Sequence, residues 1–79
     1  MTGRVIRLHR RGFGFICADL VDQQVFFPAW SVDREHGYVF DDLQAGMTVD
    51  FDLTFDEAGR PQAQHVRVPH SPDLVITKQ

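Results

Sequence analysis

Hydrophobic and polar residues alternate along much of this chain, and that alternation is the pattern of half-buried β-strands. It is most regular over residues 47–55 and returns over residues 62–68, where Ala63 and Val66 are the predicted inward positions. Residues 56–61 lie between these segments, contain glycine and proline, and predict a hairpin loop. The second half of the chain therefore predicts two adjacent antiparallel strands.

The first half of the chain contains shorter apolar segments that also predict strands. They are residues 4–8, 13–18 and 24–27. Pro28 ends the third strand because it lacks the N–H group that strand pairing needs. A long connection follows over residues 29–45, with a short helical turn predicted at residues 30–35. Five short strands with one long connection predict an all-β fold, a five-stranded antiparallel Greek-key barrel of the OB-fold type.

The predicted core consists of inward-facing apolar residues of the strands and of the long connection. They are Val5, Ile16, Val25, Phe27, Val32, Val49, Phe51, Leu53 and Val66. Phe55 is a further aromatic residue available to the core. A chain of 79 residues buries only about 60% of its unfolded surface, so this core is thin.

Strand phase decides which way the phenylalanines of the second and third strands point. Ile16 belongs to the core, so Phe13 and Phe15 face outward on the same strand. Phe27 also belongs to the core, so Phe26 faces outward and the three outward rings form one platform. The alternative is a phase shifted by one residue, in which these three rings fill the interior and Ile16 is exposed.

Exposed aromatic rings on a small domain indicate a binding surface. Every nucleobase has a π-face, and stacking on an aromatic ring contributes about 1–3 kcal/mol per base. The glycines that flank the rings would not crowd a stacked base, and Arg11 is near enough to contact phosphate. The pattern therefore predicts a surface that binds unpaired nucleic acid.

Composition argues against several other classes of protein. A single cysteine predicts no intramolecular disulfide, and the four dispersed histidines lack the spacing of a zinc site. No residues predict a cofactor or metal site, and no nucleophile with a neighbouring base predicts an enzyme. No long apolar run predicts a signal peptide or a membrane span, so the predicted location is the cytoplasm.

The formal net charge is −3, which by itself argues against a nucleic-acid ligand. Four of the eight Lys and Arg residues nevertheless fall within the first eleven positions, and no acidic residue precedes Asp19. This basic segment is either an ordinary solvated terminus or a local positive strip that attracts phosphate. Charge alone leaves both interpretations open.

Two short motifs resemble those of the cold-shock domain family. The segment Arg11–Ile16 resembles the first ribonucleoprotein motif of that family, and Gln24–Phe27 resembles the start of the second. Further likenesses follow in chain order, and they are Gly3-x-Val5, Gly37-Tyr38, Leu43-x-x-Gly46-x-x-Val49-x-Phe51 and Gly59-x-Pro61-x-Ala63-x-x-Val66. The resemblance covers residues 3–68. It implies a monomer that binds single-stranded RNA or DNA, with RNA chaperone activity as one use.

The chain departs from the family at several base-stacking positions. Arg7 stands where the family has a tryptophan, and Pro28 and Ala29 stand where it has a histidine and a phenylalanine. Trp30 either replaces a lost ring or caps the core, and Pro28 offers only a flat apolar surface. The nucleic-acid-binding residues predicted from the pattern and the resemblance are Arg7, Leu8, His9, Arg10, Arg11, Phe13, Phe15, Phe26, Pro28, Trp30 and Tyr38.

We expect a cold-shock domain over residues 1–69 and a C-terminal tail, docked or flexible, over residues 70–79. The altered second motif, the acidic net charge and the apolar residues of the tail also suggest another function. In that alternative, the same barrel serves as a protein-interaction module with weakened nucleic-acid binding.

Overall fold

The computed structural model describes residues 1–33 and 39–69. Five strands close into a barrel in the order β1-β2-β3-β5-β4. They are β1 (Thr2–His9), β2 (Phe13–Cys17), β3 (Val25–Pro28), β4 (Thr48–Phe55) and β5 (Pro61–Arg67). The predicted all-β, five-stranded barrel is thus confirmed, and each predicted strand is found within two residues of its expected bounds.

Strand pairing is antiparallel except where the barrel closes. There β3 and β5 run parallel and pair through Phe26 and Gln62, and an isolated parallel bridge joins Val32 to Val66. Short 3₁₀ turns occur at Ala29–Ser31 and at residues 40–42. The helical turn predicted at residues 30–35 is therefore present only at its start, because Val32 already forms the bridge to Val66 and residues 34 and 35 lie outside the described residues.

The barrel interior contains nearly all of the predicted core. Eight of the nine predicted core residues are buried, and Leu53 is half-buried against them. The core cluster has three further buried hydrophobic residues, and they are Ala18, Leu43 and Ala63. Phe55 does not join the core, because it stands at the turn end of the β4–β5 hairpin, where its side chain is 60% exposed. The expectation that Phe55 was available to the core is therefore wrong.

The β1–β2 pairing contains an irregularity that changes the direction of β1 side chains. Val5 pairs with Ile16, but the next paired residue of β1 is Arg7, which pairs with Phe15. Ile6 is therefore an extra residue, as in a β-bulge, and two successive side chains of β1 are exposed. Without this bulge, strict alternation from the buried Val5 would point Arg7 into the barrel.

Close packing around Gly14 ties β2 to its neighbours. Gly14 is buried, and a Cβ atom at this position would lie 2.8 Å from the carbonyl oxygen of Arg7 and 2.9 Å from both Leu8 Cδ2 and Phe27 Cε1. The missing side chain therefore admits the core ring of Phe27. This function differs from the expectation that the glycine keeps space clear beside the outward rings, because Gly14 faces the interior.

Candidate nucleic-acid interface

Three phenylalanine rings on β2 and β3 form one cluster on the outer face of the barrel. Phe15 pairs directly with Phe26 across the two strands, and Phe13 lies two residues before Phe15. The ring centroids are 6.1 Å apart for Phe13 and Phe15, 5.8 Å for Phe13 and Phe26, and 5.9 Å for Phe15 and Phe26. All three side chains are half-buried. We call these three residues the ring cluster.

The predicted strand phase is confirmed by the burial of the intervening residues. Gly14 and Ile16 are buried on β2, and Phe27 is buried on β3, so the alternative phase with three interior rings is wrong. Cys17 is exposed on the same face as the ring cluster, as the alternation predicts. The rings are half-buried because they contact one another across the sheet, which is the ordinary arrangement of cross-strand aromatic pairs.

Two side chains of β1 extend the ring cluster on its other edge. The His9 imidazole stacks on the Phe13 ring with 4.6 Å between centroids and 8° between planes. The Arg7 guanidinium lies over the Phe15 ring, with Cζ 4.9 Å from the ring centroid, in cation–π contact. Both contacts follow from the β1 bulge, since it brings Arg7 opposite Phe15 and His9 opposite Phe13.

The loop between β1 and β2 presents two more arginines beside the cluster. The loop turns tightly, because the backbone N–H of Gly12 donates to the carbonyl oxygen of His9 and Gly12 adopts a φ of +105°. Arg10 and Arg11 are both exposed on this turn. Together with Trp30 they line a cleft of about 510 Å³.

Trp30 lies on the wall of this cleft with 77% of its surface exposed. It belongs to the 3₁₀ turn Ala29–Ser31, which the hydroxyl of Ser31 anchors by donating to the carbonyl oxygen of Pro28 at 2.7 Å. Of the two positions expected for Trp30, capping the core is therefore wrong. The indole is instead open to solvent, close to Arg10 and Arg11.

Two of the predicted site residues are less exposed than a binding role requires. Leu8 is half-buried and packs against the core, since β1 returns to its inward phase after Arg7. Pro28 is buried at the end of β3, so it does not offer the flat exposed surface that was expected. Tyr38 lies outside the described residues.

A second cleft borders the ring cluster on the side of β5. Its volume is about 340 Å³, and polar side chains line it next to Phe15 and Phe26. They are Gln23, Gln24, Asp56, Arg60 and Gln62. The sequence did not single out Gln24 and Gln62 as site residues, because only the parallel pairing of β3 with β5 brings the two glutamines beside the same rings.

The two charged residues of this cleft, Asp56 and Arg60, belong to the hairpin loop between β4 and β5 and bind each other. One carboxylate oxygen of Asp56 accepts hydrogen bonds from the backbone N–H groups of Ala58 and Arg60, each at 2.9 Å. The other oxygen accepts from Arg60 Nε at 3.0 Å. The backbone hydrogen bond from Arg60 is the main reason that the pKa of Asp56 is lowered, and the Arg60 guanidinium adds to the effect.

Within residues 1–33 and 39–69, two ion pairs are formed and both involve strands β4 and β5 or their loop. They join Arg60 to Asp56 at 3.0 Å and Arg67 to Asp52 at 3.9 Å. The arginines of β1 and its loop have no carboxylate partner in that part of the chain. The positive charge of Arg7, Arg10 and Arg11 is therefore available to a ligand beside the ring cluster.

The described part of the chain shows neither a metal-binding cluster nor a helix suited to a membrane. No three His, Cys, Asp or Glu side chains of residues 1–33 and 39–69 come together as metal ligands do. Over the same residues, no helix is long and apolar enough to cross a membrane.

Comparison with known protein families gives a match over most of the chain. The model of the 'Cold-shock' DNA-binding domain matches residues 1–69 of the 79-residue chain. The match spans all five strands, the basic loop and the ring cluster. A comparison with curated proteins finds no match.

Proposed function

The chain belongs to the cold-shock DNA-binding domain family, and on this premise we propose that it binds single-stranded RNA or DNA by stacking unpaired bases on the ring cluster. Nucleic-acid binding is the general function of the family. The finer assignment rests on one observation, which is the contiguous set of outward rings formed by Phe13, Phe15 and Phe26. Single-stranded ligands suit such a surface because only unpaired bases have free faces to stack.

The basic residues around the cluster support contacts with the phosphate backbone. Arg10 and Arg11 are exposed on the turn that leads into Phe13, and His9 stacks on that ring. Exposed arginines beside stacked bases favour phosphate contacts, which hold the strand without reading its sequence. Trp30 adds an exposed aromatic surface next to the same arginines, and it is a further candidate for a stacked base.

A surface that stacks bases with little sequence demand would hold RNA strands unpaired. We therefore include RNA chaperone activity in the proposal, with the protein acting as a monomer in the cytoplasm. Stacking contributes about 1–3 kcal/mol per base, so two or three rings are enough for a measurable affinity for short strands.

The test is a Phe13→Ala, Phe15→Ala double variant titrated with a pyrimidine-rich single-stranded heptamer. Loss of two stacking rings removes about 2–6 kcal/mol of binding free energy, a loss of roughly 30-fold or more. The matched control is Phe55→Ala, which removes an exposed phenylalanine that is not part of the ring cluster and lies at the end of β4. We expect the control to bind as the unchanged protein does.

The rings also contact each other across the sheet, so the double variant must be shown to be folded. Far-UV circular dichroism and a thermal melt provide that check, since loss of cross-strand aromatic pairs costs about 0.2–1 kcal/mol each. A folded double variant with unchanged affinity would refute the stacking proposal.

The second candidate function is the protein-interaction module, and one observation favours it. Pro28 is buried and Ala29 has no ring, so two family stacking positions are lost from this interface. Nuclear magnetic resonance with the same heptamer separates the two functions. Phe13 and Phe15 resonances that stay unshifted at high heptamer concentration would support the interaction module and contradict strand binding.

A further inference from the structure

The Arg7 side chain has unused hydrogen-bond donors at the edge of the ring cluster. Its guanidinium lies over the Phe15 ring, with 4.9 Å between Cζ and the ring centroid, while the side chain remains exposed. No carboxylate in residues 1–33 or 39–69 pairs with it. Stacking on an aromatic face restrains the guanidinium plane and leaves the N–H groups at its rim free for an acceptor.

The position of Arg7 favours a base as that acceptor. Arg10 and Arg11 stand on the loop, where they are suited to phosphate contacts, whereas Arg7 lies against a ring of the cluster itself. A base stacked on Phe13 or Phe26 would sit next to it, since both rings have centroids about 6 Å from that of Phe15. The edge of such a base then comes within reach of the guanidinium.

Guanine is the base that best fits the guanidinium fork. Its O6 and N7 atoms are two adjacent acceptors on one edge, and arginine binds them with two parallel hydrogen bonds. Adenine has an acceptor and a donor on the same edge, and uracil or thymine has one acceptor beside a carbon atom. Guanine also has the larger purine face for stacking on a neighbouring ring.

We propose that Arg7 determines specificity by binding the O6 and N7 edge of a guanine next to Phe15. The preferred ligand is then a single strand with a guanine at this position, while its other bases stack on the rings whatever their identity. This inference rests on the proposed function, because a strand must first bind on the ring cluster.

The experiment uses the full chain and a set of labelled oligouridine heptamers that carry one guanine at each position in turn. Fluorescence anisotropy gives the affinity for each strand. We expect one position at which a strand with guanine binds about tenfold more tightly than a strand with uridine, adenine or cytosine there. A factor of about ten lies within the discrimination that a bidentate arginine contact provides. At that position inosine, which keeps O6 and N7, should replace guanine, and 7-deazaguanine, which lacks N7, should not.

Two variants of Arg7 and one control complete the test. Arg7→Ala should abolish the guanine preference while uridine strands still bind, and Arg7→Lys should abolish it too, because the ammonium keeps the charge and loses the fork. The control is Arg4→Ala, which removes an exposed arginine of the same strand that pairs with Cys17 and not with a residue of the ring cluster. That control should retain the preference.

Several outcomes would overturn the inference. Equal weakening of all strands in Arg7→Ala would show a phosphate contact, and tighter binding would show that the guanidinium competes with bases for Phe15. A preference of the unchanged protein for cytosine, or equal affinity for all four bases, would also contradict it. The proposed function survives each of these results. In these titrations, the result that contradicts the proposed function is the absence of binding to every strand, and in that case the inference fails with it.

Discussion

Replacing Gly14 by alanine tests how tightly β2 is held between β1 and the core. The added Cβ atom would lie 2.8 Å from the carbonyl oxygen of Arg7 and 2.9 Å from side-chain carbons of Leu8 and Phe27. Carbon atoms attract one another best at about 3.5–4.0 Å, so these contacts are repulsive. The oxygen belongs to the β1 backbone. This oxygen cannot move away without disturbing the pairing of β1 with β2, so the added methyl group would force β2 to shift.

The expected loss of stability is the difference between two opposing effects. Overpacking of a filled core costs about 1–3 kcal/mol. Alanine recovers about 0.5–1 kcal/mol in a strand, because glycine loses more conformational freedom on folding. At the middle of the two ranges, about 2 and about 0.75 kcal/mol, the free energy of unfolding should fall by about 1.25 kcal/mol, which lowers Tm by roughly 5–10 °C in a domain of this size.

Urea unfolding followed by far-UV circular dichroism measures the effect of Gly14→Ala. Fluorescence is less suitable, because the single tryptophan, Trp30, is 77% exposed in the folded protein. The comparison variant is Gly59→Ala, whose added methyl group has no neighbour within 4 Å and whose cost comes from a backbone φ of +82°. Amide chemical shifts should change at Arg7 and Phe27 only in the Gly14 variant. A Gly14→Ala protein as stable as the unchanged one would refute the packing argument.

Two further predictions concern strands β4 and β5 and their loop. His65 adopts a φ of +53°, which costs about 1 kcal/mol for an L-residue. His65→Gly should therefore raise the urea midpoint slightly, and a clear fall would show that this backbone strain is absent. The pKa of Asp56 is lowered below 3.8, mainly because its carboxylate accepts a hydrogen bond from the backbone N–H of Arg60. The ionised carboxylate therefore stabilises the fold above pH 3.8, and this stabilisation is lost as the pH falls through the lowered pKa. Asp56→Ala should therefore lower Tm at neutral pH, and the difference should vanish well below pH 3.8. A difference of the same size in acid would contradict the assignment.

Much of the barrel and its outer ring cluster could be predicted because buried and outward residues alternate along β2 and over residues 25–27 of β3. Once Ile16 and Phe27 are assigned to the interior, a period of two residues fixes the outward direction of Phe13, Phe15 and Phe26. The structure has all five side chains in those directions. Alternation carries this information because each of these strands has one face in the core.

The positions that sequence reasoning missed depend on pairing between strands. The bulge in β1 inverts the phase between Val5 and Arg7, and no residue type in this segment announces it. The same bulge turns Leu8 inward. Gln62 reaches the ring cluster only through the parallel pairing of β3 with β5. These features depend on which residues of neighbouring strands pair, and the pattern of hydrophobic residues within one strand does not specify that pairing.

The distribution of charge explains how an acidic chain can carry a nucleic-acid interface. In the described residues, Asp52 of β4 pairs with Arg67 of β5, and Asp56, which follows β4, pairs with Arg60. Arg7, Arg10 and Arg11 have no carboxylate partner among those residues. Arg4 also has no carboxylate partner among the described residues, but Arg7, Arg10 and Arg11 are the arginines at the ring cluster and its adjoining loop, so few cations there can contact phosphate. Few phosphate contacts give little sequence-independent attraction. Under the proposed function, stacking on the rings supplies most of the affinity, and we expect a change in a stacking residue to weaken binding more than the loss of one surface charge.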